Sequence, residues 1–299
     1  MKRKTGKSGW LIFLFLVLFG LPGRAVYSQA VPDSLFMISL RKELENSKKL
    51  CAEPWVSYVG ISGSNLTDPP ENLPDSVLFR AVKGKNTLVI IHGMGISYSK
   101  VKKHYDRVLH WTKEENDPIP YEIIIGVTWP GLELKPSKLS FGVVFLESNP
   151  KARRSGKKLA ALLDTLSQTA ASMDILTHSM GSKVLLEAMK EKRFSVDRLF
   201  LMAPSIDAKV FQENRKYGFV SGAVRDEVVV LYSRNDPAFR FFGEKKMGYL
   251  GAVSKKPFPE GKFLNWDLSA EVRSHSYWYY ETVYVRLAAF LEGKTIHPD

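Results

Sequence analysis

Ser179 lies in Met173-Asp174-Ile175-Leu176-Thr177-His178-Ser179-Met180-Gly181, an apolar run ending in a turn, and Val184, Leu185 and Met189 follow at helical spacing. A serine at a strand–turn–helix corner has its oxygen lifted clear of the sheet and can act as a nucleophile. The next backbone N–H, that of Met180, is then aimed at the oxyanion formed on an attacked carbonyl. Such a serine needs a base and an acid that orients the base. Chain order supplies both. The run Glu227-Val228-Val229-Val230-Leu231-Tyr232-Ser233-Arg234-Asn235-Asp236-Pro237 reads as a strand delivering Asp236 at its end, and His275 is followed only by His297, in the last three residues. Asp207, after the strand-like run 198–202, competes with Asp236 for the acid's place. Upstream, Leu88-Val89-Ile90-Ile91-His92-Gly93-Met94-Gly95 is an apolar strand ending in a glycine turn, where Gly93 and Met94 offer a second N–H to the same oxyanion. His92 itself reads as structural. Each residue alone has a plainer reading: a serine capping a helix, an Asp-Pro turn, a surface histidine. It is their order along the chain that points to acyl transfer.

Thr177 stands where the G-x-S-x-G pattern of such corners has its first glycine. A β-branched side chain crowds that position, so the expectation is either a more open turn or a bystander serine.

The elements that must hold these residues follow from the apolar pattern. Strands are expected at 77–82, 87–91, 121–127, 173–176, 198–202 and 228–232, and helices at 97–113, 152–169, 182–190 and 276–291. Strands that are apolar throughout, alternating with helices, imply a mostly parallel sheet covered by helices on both faces. Residues 77–299 are read as one domain, preceded by an N-terminal extension, 31–76, that begins with an amphipathic stretch and turns rich in Pro, Asn and Ser. Only 25 residues separate the strand ending at 202 from the one opening at 228, too few for a large lid, so the site is expected to be open. Its candidate walls are Trp129, Phe239, Phe241 and Tyr277.

Composition sets the class. The 299 residues are 44% hydrophobic and 25% charged, which excludes disordered and fibrous chains. The single cysteine, Cys51, excludes an intramolecular disulfide and a thiolate metal cluster. No His-x-x-x-His or clustered carboxylates suggest a metal, and no phosphate-binding glycine loop suggests a nucleotide, so no cofactor is expected. Lys2, Arg3, Lys4 and Lys7 precede an apolar run from Trp10 to Phe19, with small residues at Ser28 and Ala30, so residues 1–30 read as a signal peptide. Cleavage before Val31 would deliver the chain to the periplasm or the outside of the cell. An uncleaved N-terminus acting as a membrane anchor is the alternative. Five of the twelve surplus positive charges lie in that segment. The remaining basic residues suit solvated faces or peripheral contact with an anionic membrane surface rather than nucleic acid.

These segments together resemble the bacterial α/β-hydrolases known as esterase- or lipase-like proteins of unknown function. The resemblance spans about 85–292 and rests on Ile91-His92-Gly93, Val127-Thr128-Trp129-Pro130, Thr177-His178-Ser179-Met180-Gly181-Ser182-Lys183-Val184-Leu185, Ala203-Pro204-Ser205-Ile206-Asp207, Ser233-Arg234-Asn235-Asp236 and His275-Ser276-Tyr277. It implies the α/β-hydrolase fold and a serine hydrolase but no substrate; a small-molecule or lipid-like ester is the substrate expected from the serine, acid and base themselves. An acyltransferase or thioesterase with the same three residues, or a non-catalytic envelope binding protein on the same scaffold, are the alternatives.

Overall fold

The computed structural model describes residues 34–62, 65–66, 72–114, 120–133, 140–240, 245–253, 258–259 and 261–293. The segment read as a signal peptide, together with Phe241 and His297, lies outside them. The first half of the chain forms β1 (Ser34–Arg41), β2 (Leu50–Ser62), β3 (Asn65–Leu66), α1 (Asp75–Val82), β4 (Asn86–Ile91), α2 (Tyr98–Glu114), β5 (Ile123–Thr128) and α3 (Ser140–Thr169). The second half forms β6 (Ser172–His178), α4 (Gly181–Glu191), β7 (Leu199–Met202), α5 (Val220–Ala223), β8 (Val228–Tyr232), α6 (Pro237–Arg240), α7 (Met247–Leu250) and β9 (Phe263–Asp267). A 3₁₀ turn (Tyr277–Tyr279) and α8 (Glu281–Leu291) follow.

All strands join one sheet in the order β3-β2-β1-β5-β4-β6-β7-β8-β9. From β1 to β9 every pairing is parallel, while β2 runs antiparallel to β1 and β3 antiparallel to β2. The strands β7 and β8 are buried along their whole length, and β4, β5 and β6 at every position but the first, as strands covered on both faces require. One face carries α1, α3 and α4 over Val89, Ile91, Ile125 and Val127. The other carries α2 and α8 over Leu88, Ile90, Ile124 and Leu176. This is the mostly parallel sheet, covered on both faces, expected from the alternation of elements, and the α/β-hydrolase architecture that the resemblance implies.

Two local readings are corrected. Residues 77–82 belong to helix α1 rather than to a strand: Leu78 and Val82, four apart, are the two residues it buries, a spacing that a short apolar run shares with a strand. Helix α3 begins twelve residues before the expected start and runs through Pro150, which removes one backbone N–H without ending the helix. Within 31–76, β1, β2 and β3 extend the sheet at its edge, and β1 lies directly against β5. Met37 and Ile38 of β1 are fully buried, on opposite faces.

The strand order decides where a site can form. From β4 the chain goes to β5 on one side, then crosses back to β6 on the other. Loops leaving β4 and β6 therefore diverge and open a crevice at their carboxyl ends, the usual ligand position in open parallel sheets.

Candidate active site

At that crevice β6 ends in His178 and turns at Ser179, whose φ is +52°, a left-handed conformation that is costly for a residue with a Cβ. The turn is held because Ser179 N–H donates to the Met202 carbonyl at 2.9 Å and Ser205 N–H donates to the Ser179 carbonyl at 3.2 Å. Helix α4 starts two residues later, so close to β4 that a Cβ on Gly181 would sit 2.5 Å from the Ile91 carbonyl oxygen and 2.6 Å from that of His92. Glycine is required there. Thr177, by contrast, is accommodated: its Oγ1 lies 2.8 Å from Ser182 Oγ, and both residues are fully buried. A threonine in place of the first glycine thus pins the strand to the first turn of α4 instead of opening the corner.

Ser179 Oγ lies 2.8 Å from His275 Nε2, and His275 Nδ1 lies 2.7 Å from Asp236 Oδ2. The structure brings these three predicted residues into one hydrogen-bonded line. Asp236 is fully buried, and its second oxygen accepts the Ala238 N–H at 2.9 Å. The loop bearing it is tied to the segment ahead of His275 by Ser233 Oγ donating to the Val272 carbonyl, Arg234 N–H to Ser269 Oγ and Asn235 Nδ2 to the Ser269 carbonyl. Asp207 is not part of the line. It is exposed, accepts the Lys209 N–H at 2.8 Å, and faces a neighbouring cavity.

Met180 immediately precedes α4, where helix geometry leaves N–H groups without intrahelical partners. Among the described residues neither its N–H nor that of Met94 has a hydrogen-bond acceptor. Gly93 lies against the nucleophile corner: a Cβ there would be 2.9 Å from His178 Nδ1 and 3.1 Å from Ser179 Cβ. Both predicted oxyanion donors therefore come from the loops flanking Ser179. His92 has a structural place, stacked on the fully buried Trp129 ring at 5.8 Å and receiving the Trp129 N–H on Nε2 at 3.2 Å.

The wall of the site differs from the expectation. Trp129 and Tyr277 are fully buried, the first beneath His92. A narrow cleft at Ser179 and His275 is lined instead by Met94, Phe145, Ser205, Ala238, Phe239 and Lys246. Of the expected aromatics among the described residues only Phe239 is there, its ring edge-on to His275 at 5.3 Å. Phe145 comes from α3 and Lys246 from the segment before α7, neither of which has a local sequence signal.

His178 was read only as part of the serine motif, yet it holds the base in place. Its Nε2 is 2.7 Å from the His275 carbonyl oxygen, so that nitrogen must carry the proton. Burial first, and then the neighbouring His275, lowers its pKa well below the usual imidazole value, which keeps the ring neutral.

The family described as α/β hydrolase of unknown function, DUF900, matches residues 75–256, more than half of the chain. The chain belongs to this family. Solved structures similar to this DUF900 chain include an uncharacterized protein from Bacillus cereus, 14% identical with a TM-score of 0.42, covering 72% of this chain and 61% of that one. A predicted CIB-like hydrolase from Thermoplasma acidophilum is 13% identical, with a TM-score of 0.41 and coverage of 80% and 93%. A peroxisomal α/β-hydrolase from Saccharomyces cerevisiae is 11% identical, with a TM-score of 0.41 and coverage of 88% and 90%. The DUF900 chain thus spans about three fifths of the Bacillus protein's length. No curated protein matches it. The match to the family does not include His275, which lies nineteen residues beyond its end.

Proposed function

We propose that this DUF900 hydrolase is an exported serine hydrolase that cleaves carboxylic esters through an acyl-enzyme. The observation that carries the reading is the line Asp236–His275–Ser179, with contacts of 2.7 and 2.8 Å, ending on a serine at φ +52°. His275 Nε2 takes the proton from Ser179 Oγ as the oxygen attacks the ester carbonyl, and Asp236 orients the ring and stabilises the imidazolium through Nδ1. The N–H groups of Met94 and Met180 receive the oxyanion. Collapse of the tetrahedral intermediate breaks the ester C–O bond, and His275 returns the proton to the departing alcohol. Water, deprotonated by the same histidine, then releases the acid and restores Ser179.

The test is covalent labelling by a fluorophosphonate, which needs an activated serine and no knowledge of the substrate. A phosphonyl adduct at Ser179, found by peptide mass and absent from Ser179→Ala and His275→Ala, is the expected result. A folded wild-type chain that takes no label overturns the reading and leaves the scaffold a binding protein.

A further inference from the structure

Beside the cleft at Ser179 lies a second, open cavity of about 210 Å³, and the two share Phe145, Ser205 and Lys246 as walls. Met180, whose N–H faces the proposed oxyanion, also lines it. Its charge is unlike the rest of the crevice. Arg153 from α3, Lys183 from α4, Lys216 from the loop before α5 and Lys246 all reach it, against Asp207 on its wall and Glu187 behind it.

The pairing is unequal. Glu187 is bound by Lys216 and Tyr217 and lies 3.8 Å from Arg153, so one carboxylate serves two cations. Among the described residues Lys183 Nζ has only the neutral Asn149 Oδ1 as its hydrogen-bond partner. Lys246 packs toward the Phe145 ring, 5.8 Å from its centroid. Burial, followed by the charges of Arg153 and Lys216, lowers the Lys183 pKa to about 8, the mark of an ammonium short of counter-charge. Ser205 adds a neutral contact, since its Oγ is buried without a hydrogen-bond partner among the described residues. A cavity lined by cations from four separate segments, and sharing walls with the cleft at the nucleophile, suits part of a substrate.

We propose that this cavity is a specificity subsite that takes an anionic group, carboxylate or phosphate, carried by the ester that Ser179 attacks. The inference rests on the hydrolase reading above. Lys183 and Lys246 are its principal contacts because among the described residues neither is hydrogen-bonded to a carboxylate. An anion there relieves their mutual repulsion and forms charge-assisted hydrogen bonds in a partly desolvated setting.

The experiment compares matched esters on the full folded chain. The para-nitrophenyl monoester of suberic acid is set against para-nitrophenyl octanoate, placing the charge on the acyl side. The acetate ester of glycerol phosphate is set against monoacetin, placing it on the alcohol side. Each pair is run with wild type, Lys183→Gln, Lys246→Gln and, as a control for loss of charge on the same helix, Lys190→Gln. In one of the two pairs the anionic ester is preferred, and its kcat/KM relative to the neutral partner falls about 10- to 100-fold in Lys183→Gln and Lys246→Gln, chiefly through KM, but not in Lys190→Gln. The preferred pair identifies the side of the ester that enters the subsite. Turnover of the neutral esters with no anionic preference, or a preference that both variants retain, overturns the subsite and leaves the hydrolase reading standing. No turnover of any ester and no fluorophosphonate labelling overturns both.

Discussion

The corner at Ser179 shows how single side chains set the geometry of the site. The left-handed φ of the serine is held by the close approach of α4 to β4, and Gly181 is the residue that permits that approach. In Gly181→Ala the new methyl would meet two backbone carbonyl oxygens that cannot move aside as a flexible side chain could. The expected result is a loss of about 1–3 kcal/mol in urea unfolding, as for other overpacked sites. Fluorophosphonate labelling should fall by a larger factor than stability alone explains, because the strain is released by moving Ser179. Labelling at the wild-type rate would mean that the corner does not depend on this approach. The serine, acid and base were legible in sequence because each stands at or near a strand end or in a connecting loop, where chain order alone constrains it. Lys183 stands in the serine motif with no role legible there, since nothing local says that Arg153 and Lys216 line the same cavity.

At the scale of elements, the candidate site depends on α3 as much as on the strands. Helix α3 lies against α4 at Gly156, where a Cβ would be 2.7 Å from Glu187 Cβ and closer still to the Val184 carbonyl oxygen. The same helix carries Phe145 to the cleft at Ser179, and Asn149 and Arg153 to the basic cavity. Gly156→Ala should therefore push α3 away from α4, costing about 1–3 kcal/mol in urea unfolding and lowering ester turnover while the Asp236–His275–Ser179 line stays intact. Retained labelling with reduced turnover separates this outcome from damage to the nucleophile, and unchanged stability would show that the helices can part without cost. Sequence reading found the second half of α3 from its apolar spacing but stopped at Pro150, because proline usually marks a helix start or end. It missed β9 as well, a strand whose residues are mostly half-buried and so lack the continuous apolar run of β4 or β8. The strands β1 and β2 pair with each other, and only β1 also pairs far along the chain, with β5, a contact that no local pattern announces.

For the whole molecule, the buried histidines decide how stability responds to acid. Burial lowers the pKa of His92 and His178 well below the ordinary imidazole value of 6.5, and lowers that of His104 to about 4, with Lys100 and Arg107 adding to it. In the folded chain these rings stay neutral, whereas in the unfolded chain they protonate below pH 6.5. The unfolded state therefore binds more protons, and stability present above pH 6.5 is lost as the pH falls. His104, whose pKa falls to about 4, contributes a loss of about 2 kcal/mol between pH 7 and 5, and His92 and His178 act in the same direction. Asp174 acts in the opposite sense, because burial raises its pKa from 3.8 to about 6, so the folded chain takes up a proton there first. That gain is about 1 kcal/mol over the same range and cannot offset three histidines. Urea unfolding should accordingly show a stability several kcal/mol lower at pH 5 than at pH 7. His104 offers the cleanest check, since its ring stacks on Trp278 at 5.3 Å while its buried Nδ1 has no hydrogen-bond partner among the described residues. His104→Phe keeps the stacking, leaves no partner stranded, and removes one titrating ring. It should be more stable than wild type at pH 5 and should lose about 2 kcal/mol less on acidification. A His104→Phe chain that loses stability as steeply as wild type would mean that this ring is protonated inside the fold, and that the acid sensitivity arises elsewhere.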